Sequence, residues 1–151
     1  MVSKFGYSLC VSVDSETKVV CSFGVFPANV HDSRTLKDIV HFDNKDRRVL
    51  GDKAYPSKEN KKFLEKNGLI DKLMQKKPPG KEMPEEVVLS NAEIARERSR
   101  VEHVFGHMKY CRGLTLRTIG LARAETKLSL SVLAYNIDRF VFLKRRRCTV
   151  G

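Results

Sequence analysis

Two apolar, strand-length runs joined by a short polar turn, followed by helices and strands in alternation, constrain the folds open to this chain more than any other feature. Phe5 to Val13 and Lys18 to Phe26 are rich in Val, Phe and Cys and partly alternate. Between them, Asp14-Ser15-Glu16-Thr17 offers side chains that bond to nearby backbone. This pattern predicts an antiparallel hairpin. Pro27-Ala28-Asn29 breaks the second strand. Asp32 or Ser33 then caps a short helix reaching about Val40, with Leu36, Ile39 and Val40 apolar. Arg47 to Asp52 reads as a short strand. Pro56-Ser57 opens a helix that Asn67-Gly68 closes, and Leu69 to Met74 reads as another strand. Lys76 to Met83 is a loop, because Pro78-Pro79-Gly80 cannot sit inside a helix. Ser90, with Glu93 three residues on, makes a capping box for a long helix to about Tyr110, before Gly113. Ile94, Val101, Val104, Phe105 and Met108 fall on one side of it. A last helix spans about Ala122 to Lys144, with Leu130, Leu133, Ile137 and Phe140 at helical spacing as its expected core face. The order implies an α/β fold, a mixed sheet with helices packed on it.

The length of 151 residues suits one domain or most of one. With 41% hydrophobic and 31% charged residues, the composition supports a core and is not that of a disordered chain. The net charge of +11 and a pI near 9.7 favour a polyanionic partner, nucleic acid before acidic membrane. Leu128 to Leu143 is strongly apolar but contains Asn136, Asp138 and Arg139. It is also shorter than the ~20 residues a membrane span needs, so it reads as a core helix. Met1 to Lys4 lead directly into strand-like sequence, without a signal peptide. A cytoplasmic, DNA-associated protein is expected. Cys10, Cys21, Cys111 and Cys148 show no zinc spacing and read as reduced thiols; Cys10 and Cys21 can face each other across the hairpin.

The chemistry concentrates in two places. Arg98-x3-Glu102-x6-Lys109 lies on one predicted helix, and Gly51-Asp52-Lys53-Ala54-Tyr55 ends an apolar run. A helical carboxylate with basic neighbours, plus an Asp at a strand end, is a way to hold divalent metal against a phosphodiester, since such ions prefer hard oxygen ligands. Arg98 and Lys109 are about three helical turns apart and project to similar sides, as cations spaced along a phosphate backbone would. Each residue also has a plainer reading. Asp52 can be a turn residue, Glu102 a surface carboxylate paired with Arg98 four residues earlier, and the cations merely solvated. His103 and His107 form an i, i+4 pair but lack the Glu of the zinc-protease motif. A third carboxylate is hard to find. Asp32 either caps its helix or approaches the site as a surrogate; Asp14, in the hairpin turn, is a weaker candidate.

Three blocks in order, Pro27-Ala28-Asn29-Val30-His31-Asp32-Ser33, Gly51 to Tyr55, and Arg98 to Lys109, resemble the catalytic domain of bacterial insertion-sequence transposases of the DDE class. The group is that typified by insertion sequences four and five, and the likeness runs from about Gly6 to Leu143. The resemblance implies a ribonuclease-H-like fold, Asp52 and Glu102 as ligands of Mg2+ or Mn2+, and Arg98 and Lys109 as DNA contacts near the cut. It further implies double-stranded DNA as partner, both transposon terminal inverted repeats and target DNA, with a homodimer or pairing with full-length transposase. The family's usual Tyr three residues before the Arg is Ala95 here. Its first Asp lies on a central strand preceding the hairpin. The expectation is therefore a partial catalytic domain lacking the first central strand, silent in isolation. Residues from about 5 to 110 would form the sheet and catalytic helix, about 120 to 144 the C-terminal helix, and 144 to 151 a basic tail. Such a piece would be a decayed copy, a late start, or the second frame of an element expressed by frameshifting. The competing readings are a nonenzymatic basic DNA-binding remnant that inhibits full-length transposase, and a stand-alone ribonuclease-H-type nuclease. The latter needs three or four acidic ligands.

Overall fold

The computed structural model describes residues 6–40, 47–111 and 120–149. They fall into two compact units. One joins the segment up to Asn29 with the segment from Arg100 onward; the other is the continuous stretch Val30–Ser99. Phe5, expected to begin the first strand, and Gly113, expected to follow the long helix, lie outside the described residues, as do the last two residues of the basic tail.

The terminal unit is built on the hairpin. Strands β1 (Tyr7–Val13) and β2 (Val20–Pro27) pair antiparallel from Tyr7↔Pro27 to Ser12↔Ser22, and the register then shifts so that Val13 faces Val20. The turn closes as its residues suggest. Asp14 Oδ1 accepts from the Thr17 amide at 2.7 Å and the Thr17 hydroxyl at 2.6 Å, and Lys18 takes a left-handed φ of 59°. Cys10 faces Gly24, not Cys21: the shift in register leaves Cys21 as the extra residue of a bulge. Both are thiols outside any disulfide. Against the hairpin lie the end of α3 (Glu85–Cys111) and α4 (Leu121–Thr149). The shared core is Val20, Val104, Met108, Val132 and Tyr135, flanked by Leu9, Val11, Val13 and Phe23.

The long helices depart from expectation in three ways. First, α3 starts at Glu85, so Ser90 and Glu93 are interior and form no capping box. The Pro84 carbonyl accepts from Val87 and Val88 amides, and Glu85 and Glu86 place negative charge at the positive end of the helix dipole. Phe105 is also exposed rather than in the core. Second, α4 continues through Lys144–Arg147, so the basic tail is helix. Third, α4 buries the opposite side from the one its spacing suggested. Leu130, Leu133, Ile137 and Phe140 are 53–62% exposed, whereas Ala124, Leu128, Val132 and Tyr135 are buried. The helix is apolar around much of its circumference, so periodicity alone allows either face. Polar anchors choose. Asn136 Oδ1 accepts from the Val20 amide at 3.0 Å while its Nδ2 donates to the Val20 carbonyl at 2.9 Å. Tyr135 donates its hydroxyl to the Lys18 carbonyl, and Arg139 Nε donates to that of Thr17.

The central unit contains a β–α–β crossover. Strands β3 (Arg48–Gly51) and β4 (Ile70–Leu73) run parallel, Arg48↔Ile70 through Gly51↔Leu73, connected by α2 (Lys58–Lys66). Ser57 Oγ caps α2 by accepting from Asn60 N, and Gly68 leaves the helix at φ 67°, a conformation glycine adopts without strain. The preceding helix α1 (Asp32–Ile39) is capped by His31, whose Nδ1 accepts from Ser33 N at 3.2 Å. Neither Asp32 nor Ser33 is the cap; Asp32 sits one position inside, in the first turn. Leu36, Leu64, Leu69 and Leu73 form the core, with Val40, Val49, Tyr55 and Phe63 around them. The class is α/β, as the element order implied. The described strands form one antiparallel and one parallel pair, not a continuous mixed sheet: β1 bonds only to β2 and β3 only to β4 among them.

Candidate active site

Asp52 directly follows the last residue of β3. In a parallel pair the carboxyl ends of both strands open at one edge, the usual place for ligands in α/β architecture. The backbone there is tightly held. Met74 N donates to the Gly51 carbonyl at 2.9 Å, Tyr55 N to the Asp52 carbonyl at 3.2 Å, and Ala54 N to Asp52 Oδ1 at 2.8 Å. The last contact pins one carboxylate oxygen. The other, Oδ2, lies 3.7 Å from Arg98 Nη2, and Arg98 Nη1 is 3.8 Å from Met74 Sδ. A side chain just before Asp52 would crowd its neighbours: a Cβ on Gly51 would come within 2.5 Å of Leu73 Cδ2 and 3.2 Å of Tyr55 Cδ2, so the Leu73 side chain would have to shift.

Arg98 reaches Asp52 because α3 is clamped to the strand ends. Asn91 Oδ1 accepts from Gln75 N at 2.9 Å and its Nδ2 donates to Gln75 O at 3.0 Å. Ile94 is buried one turn later, and Arg98 follows after a further turn on the same side. Arg48 adds an ion pair to Glu97 at 3.4 Å. A second brace supports the loop after Asp52. Asn60, 1% exposed, donates through Nδ2 to the Tyr55 carbonyl at 2.7 Å and to the Ser33 carbonyl at 2.8 Å, while its Oδ1 has no hydrogen-bond partner among the described residues. Sequence reasoning passed over both asparagines. The signal for Asn60 was available, since a polar residue stands three and four positions before Phe63 and Leu64 on the apolar stripe of α2.

The structure brings Asp52 and Arg98 together. Glu102 and Lys109, exposed on the later turns of α3, belong to the terminal unit. Asp32 is partly buried in the first turn of α1, with its carbonyl accepting from the Thr35 hydroxyl at 2.8 Å. It adjoins Ser33, which Asn60 ties to the Asp52 loop. His107 stacks edge-on against Tyr135, ring centroids 5.5 Å apart, and so has a packing role. Burial raises the Tyr135 hydroxyl above its ordinary pKa, an effect that nearby Arg139 partly opposes. As a hard oxygen donor at a strand end, Asp52 has the chemistry a divalent ion prefers. Among the described residues, however, no three His, Cys, Asp or Glu side chains assemble into a cation site, so these residues alone do not close a cage around an ion. No helix among them is long and apolar enough to cross a membrane.

The family model of the transposase DDE domain matches residues 3–137. The chain belongs to this family, whose members in general act on DNA by phosphoryl transfer with divalent metal ions. It is similar to the transposase for insertion sequence element IS1106 of Neisseria meningitidis serogroup B, 27% identical over 136 residues. The matched region covers 89% of this chain and 46% of that protein, so the chain spans about half the length of this curated relative. No solved structure matches.

Proposed function

We propose that this chain carries part of the catalytic domain of an insertion-sequence transposase, of ribonuclease-H-like fold, serving metal-dependent cleavage of DNA strands and their transfer to a target. The observation that carries the reading is the Asp52 carboxylate, pinned by Ala54 N at the carboxyl end of a parallel strand and faced by a helix-borne guanidinium. In this reading Asp52 and Glu102 are carboxylates for Mg2+ or Mn2+, ions that lower phosphodiester charge and orient the attacking oxygen. Arg98 and Lys109 neutralise phosphates beside the cut. The DNA partners are the element's terminal inverted repeats and the target duplex, met in the cytoplasm. Asp32 is the candidate surrogate for a further carboxylate.

The isolated chain is expected to bind DNA without cutting it. Binding of a duplex carrying the terminal repeat and of a scrambled duplex should be similar and should fall steeply with salt, because the charge excess acts on phosphates. Lys109→Ala should weaken both. Affinity unchanged between low and moderate salt refutes the electrostatic part. Nicking of the repeat-bearing end with magnesium or manganese, abolished by Asp32→Asn, would show Asp32 serving as a further catalytic carboxylate and refute the expectation of binding without cutting.

The lack of a three-ligand cation group among the described residues favours a second reading. Here the chain is a nonenzymatic DNA-binding remnant that pairs with a second copy or with full-length transposase and inhibits it. Metal-dependent cleavage of a DNA end separates the two.

A further inference from the structure

Exposed large apolar side chains cluster in two places among the described residues, and the two places carry opposite charge. The first is the outer face of α4. Leu130, Leu133, Ile137 and Phe140, spaced three and four apart, lie opposite the side that packs on the hairpin, with Val141 beside them and 45% exposed. They cover about 15 Å of helix, more than the single apolar residues scattered over an ordinary surface. Basic residues bound the stripe at both ends, Arg123 and Lys127 before it and Lys144 to Arg147 after it. The terminal unit as a whole holds thirteen Lys and Arg against five Asp and Glu, whereas the central unit holds sixteen against thirteen.

The second place is the outer face of the first half of α3. Val88 and Leu89 are 48% and 61% exposed, and the exposed Ala92 and Ala95 continue the same face. Glu85 and Glu86 precede them and Glu93 flanks them, all three exposed. Asn91 and Ile94 are buried on the other side.

We propose that these faces are the two halves of one contact between copies of this chain, with α4 of one copy antiparallel to the first half of α3 of another. The proposal rests on the reading that the chain pairs with a second copy, and it supplies the surfaces. In this alignment Glu85 and Glu86 meet Lys144 and Arg145, and Val88 and Leu89 meet Phe140 and Val141. The small Ala92 and Ala95 leave room for Ile137 and Leu133. Antiparallel placement also sets the positive end of one helix dipole beside the negative end of the other. Charge disfavours α4 against α4: Lys144 to Arg147 would lie beside their own counterparts in a parallel pair and beside Arg123 and Lys127 in an antiparallel one. Nucleic acid suits the basic ends of the stripe but not its apolar middle, which offers phosphates no donor. A contact of this length is at the low end of sizes that hold protein pairs, so association in the micromolar range is expected.

Sedimentation equilibrium of the nucleic-acid-free full chain tests this, with far-ultraviolet circular dichroism to check that each variant is folded. The parent should rise above its monomer mass of 17.2 kDa with concentration. Glu85→Lys with Glu86→Lys, and separately Lys144→Glu with Arg145→Glu, should each need about tenfold more protein or greater to associate, because like charges then face each other. An equal mixture of the two reversed proteins should recover the parent's association, since each reversed face then meets its opposite. Ile137→Glu, at an exposed position of α4, should abolish association, and it keeps the test intact if reversal at the start of α3 unfolds that helix. If the parent associates but neither the reversals nor Ile137→Glu weaken it, or the mixture does not recover, these faces are overturned while pairing stands. A parent that stays monomeric throughout overturns both. Association that appears only when duplex DNA is added makes nucleic acid the bridge and overturns the contact.

Discussion

Replacing Gly51 by alanine tests how the Asp52 loop is held. A Cβ at that position would stand 2.5 Å from Leu73 Cδ2 and 3.2 Å from Tyr55 Cδ2. Carbon atoms in contact prefer about 3.5–4.0 Å, so the overlap with Leu73 is roughly 1 Å or more. Leu73 is 6% exposed in the Leu36–Leu64–Leu69 cluster and has little room to withdraw. Overpacking of this kind costs about 1–3 kcal/mol, offset by the roughly 0.5–1 kcal/mol that alanine gains over glycine in a strand. A net loss of about 1–2 kcal/mol is expected. Leu73→Ala alone should cost about 2–5 kcal/mol through the cavity it leaves. In the double variant the new methyl projects into that cavity, so the total loss should fall short of the sum by about 1–3 kcal/mol. Urea denaturation of the full chain, followed by far-ultraviolet circular dichroism on all four proteins, supplies the cycle. Losses that add to within about 0.5 kcal/mol, or a Gly51→Ala protein as stable as its parent, would refute the claim that the Leu73 side chain crowds out a methyl before Asp52.

Three further outcomes follow from the hydrogen bonding. Asn136→Ala removes both bonds to Val20 and should cost about 2 kcal/mol, with faster amide exchange at Val20; an unchanged Val20 exchange rate contradicts the clamp. Asn60→Asp swaps the donor to two carbonyls for a buried carboxylate and should cost about 3 kcal/mol or more in denaturation experiments, whereas a neutral result would mean that water already enters there. Tyr135 is protonated more tightly in the folded chain than its ordinary pKa of 10.0. Its contribution is complete below that value and is lost as pH rises through the higher folded pKa. Stability in this alkaline window should therefore fall with pH, and Tyr135→Phe should flatten the fall; an identical slope in both proteins excludes Tyr135 as its source.

Local chemistry was legible wherever a residue's role depends on its chain neighbours. Asp14 and Thr17 close the hairpin, Ser57 and Gly68 bound α2, and Pro78-Pro79-Gly80 breaks the chain, because each acts on backbone within a few residues. The turn role of Asp52 at the end of β3 was legible for the same reason, its Asx bond spanning two residues, whereas the block's catalytic reading came from the family resemblance. Helix starts were read less well where two signals competed. Ser90 and Glu93 had the right spacing for a cap, yet Pro84 and two following glutamates begin α3 earlier, and His31 outcompetes Asp32 at α1.

Contacts between segments distant in the chain were decided by the tertiary structure. Periodicity marked α4 as an apolar helix, but its apolar residues surround so much of the circumference that spacing could not choose a side. The choice fell to Asn136, Tyr135 and Arg139, whose partners lie more than a hundred residues earlier in the hairpin. Arg98 likewise carried a motif in the sequence, but not a partner. Its place on Asp52 depends on Asn91 holding α3 at the exit of β4. Amino-acid order determines which backbone groups need partners and which faces are apolar. Only packing determines which distant side chain answers them, because a hydrogen bond at 3 Å constrains position far more tightly than hydrophobic attraction, which is nondirectional and accepts either face of a greasy helix.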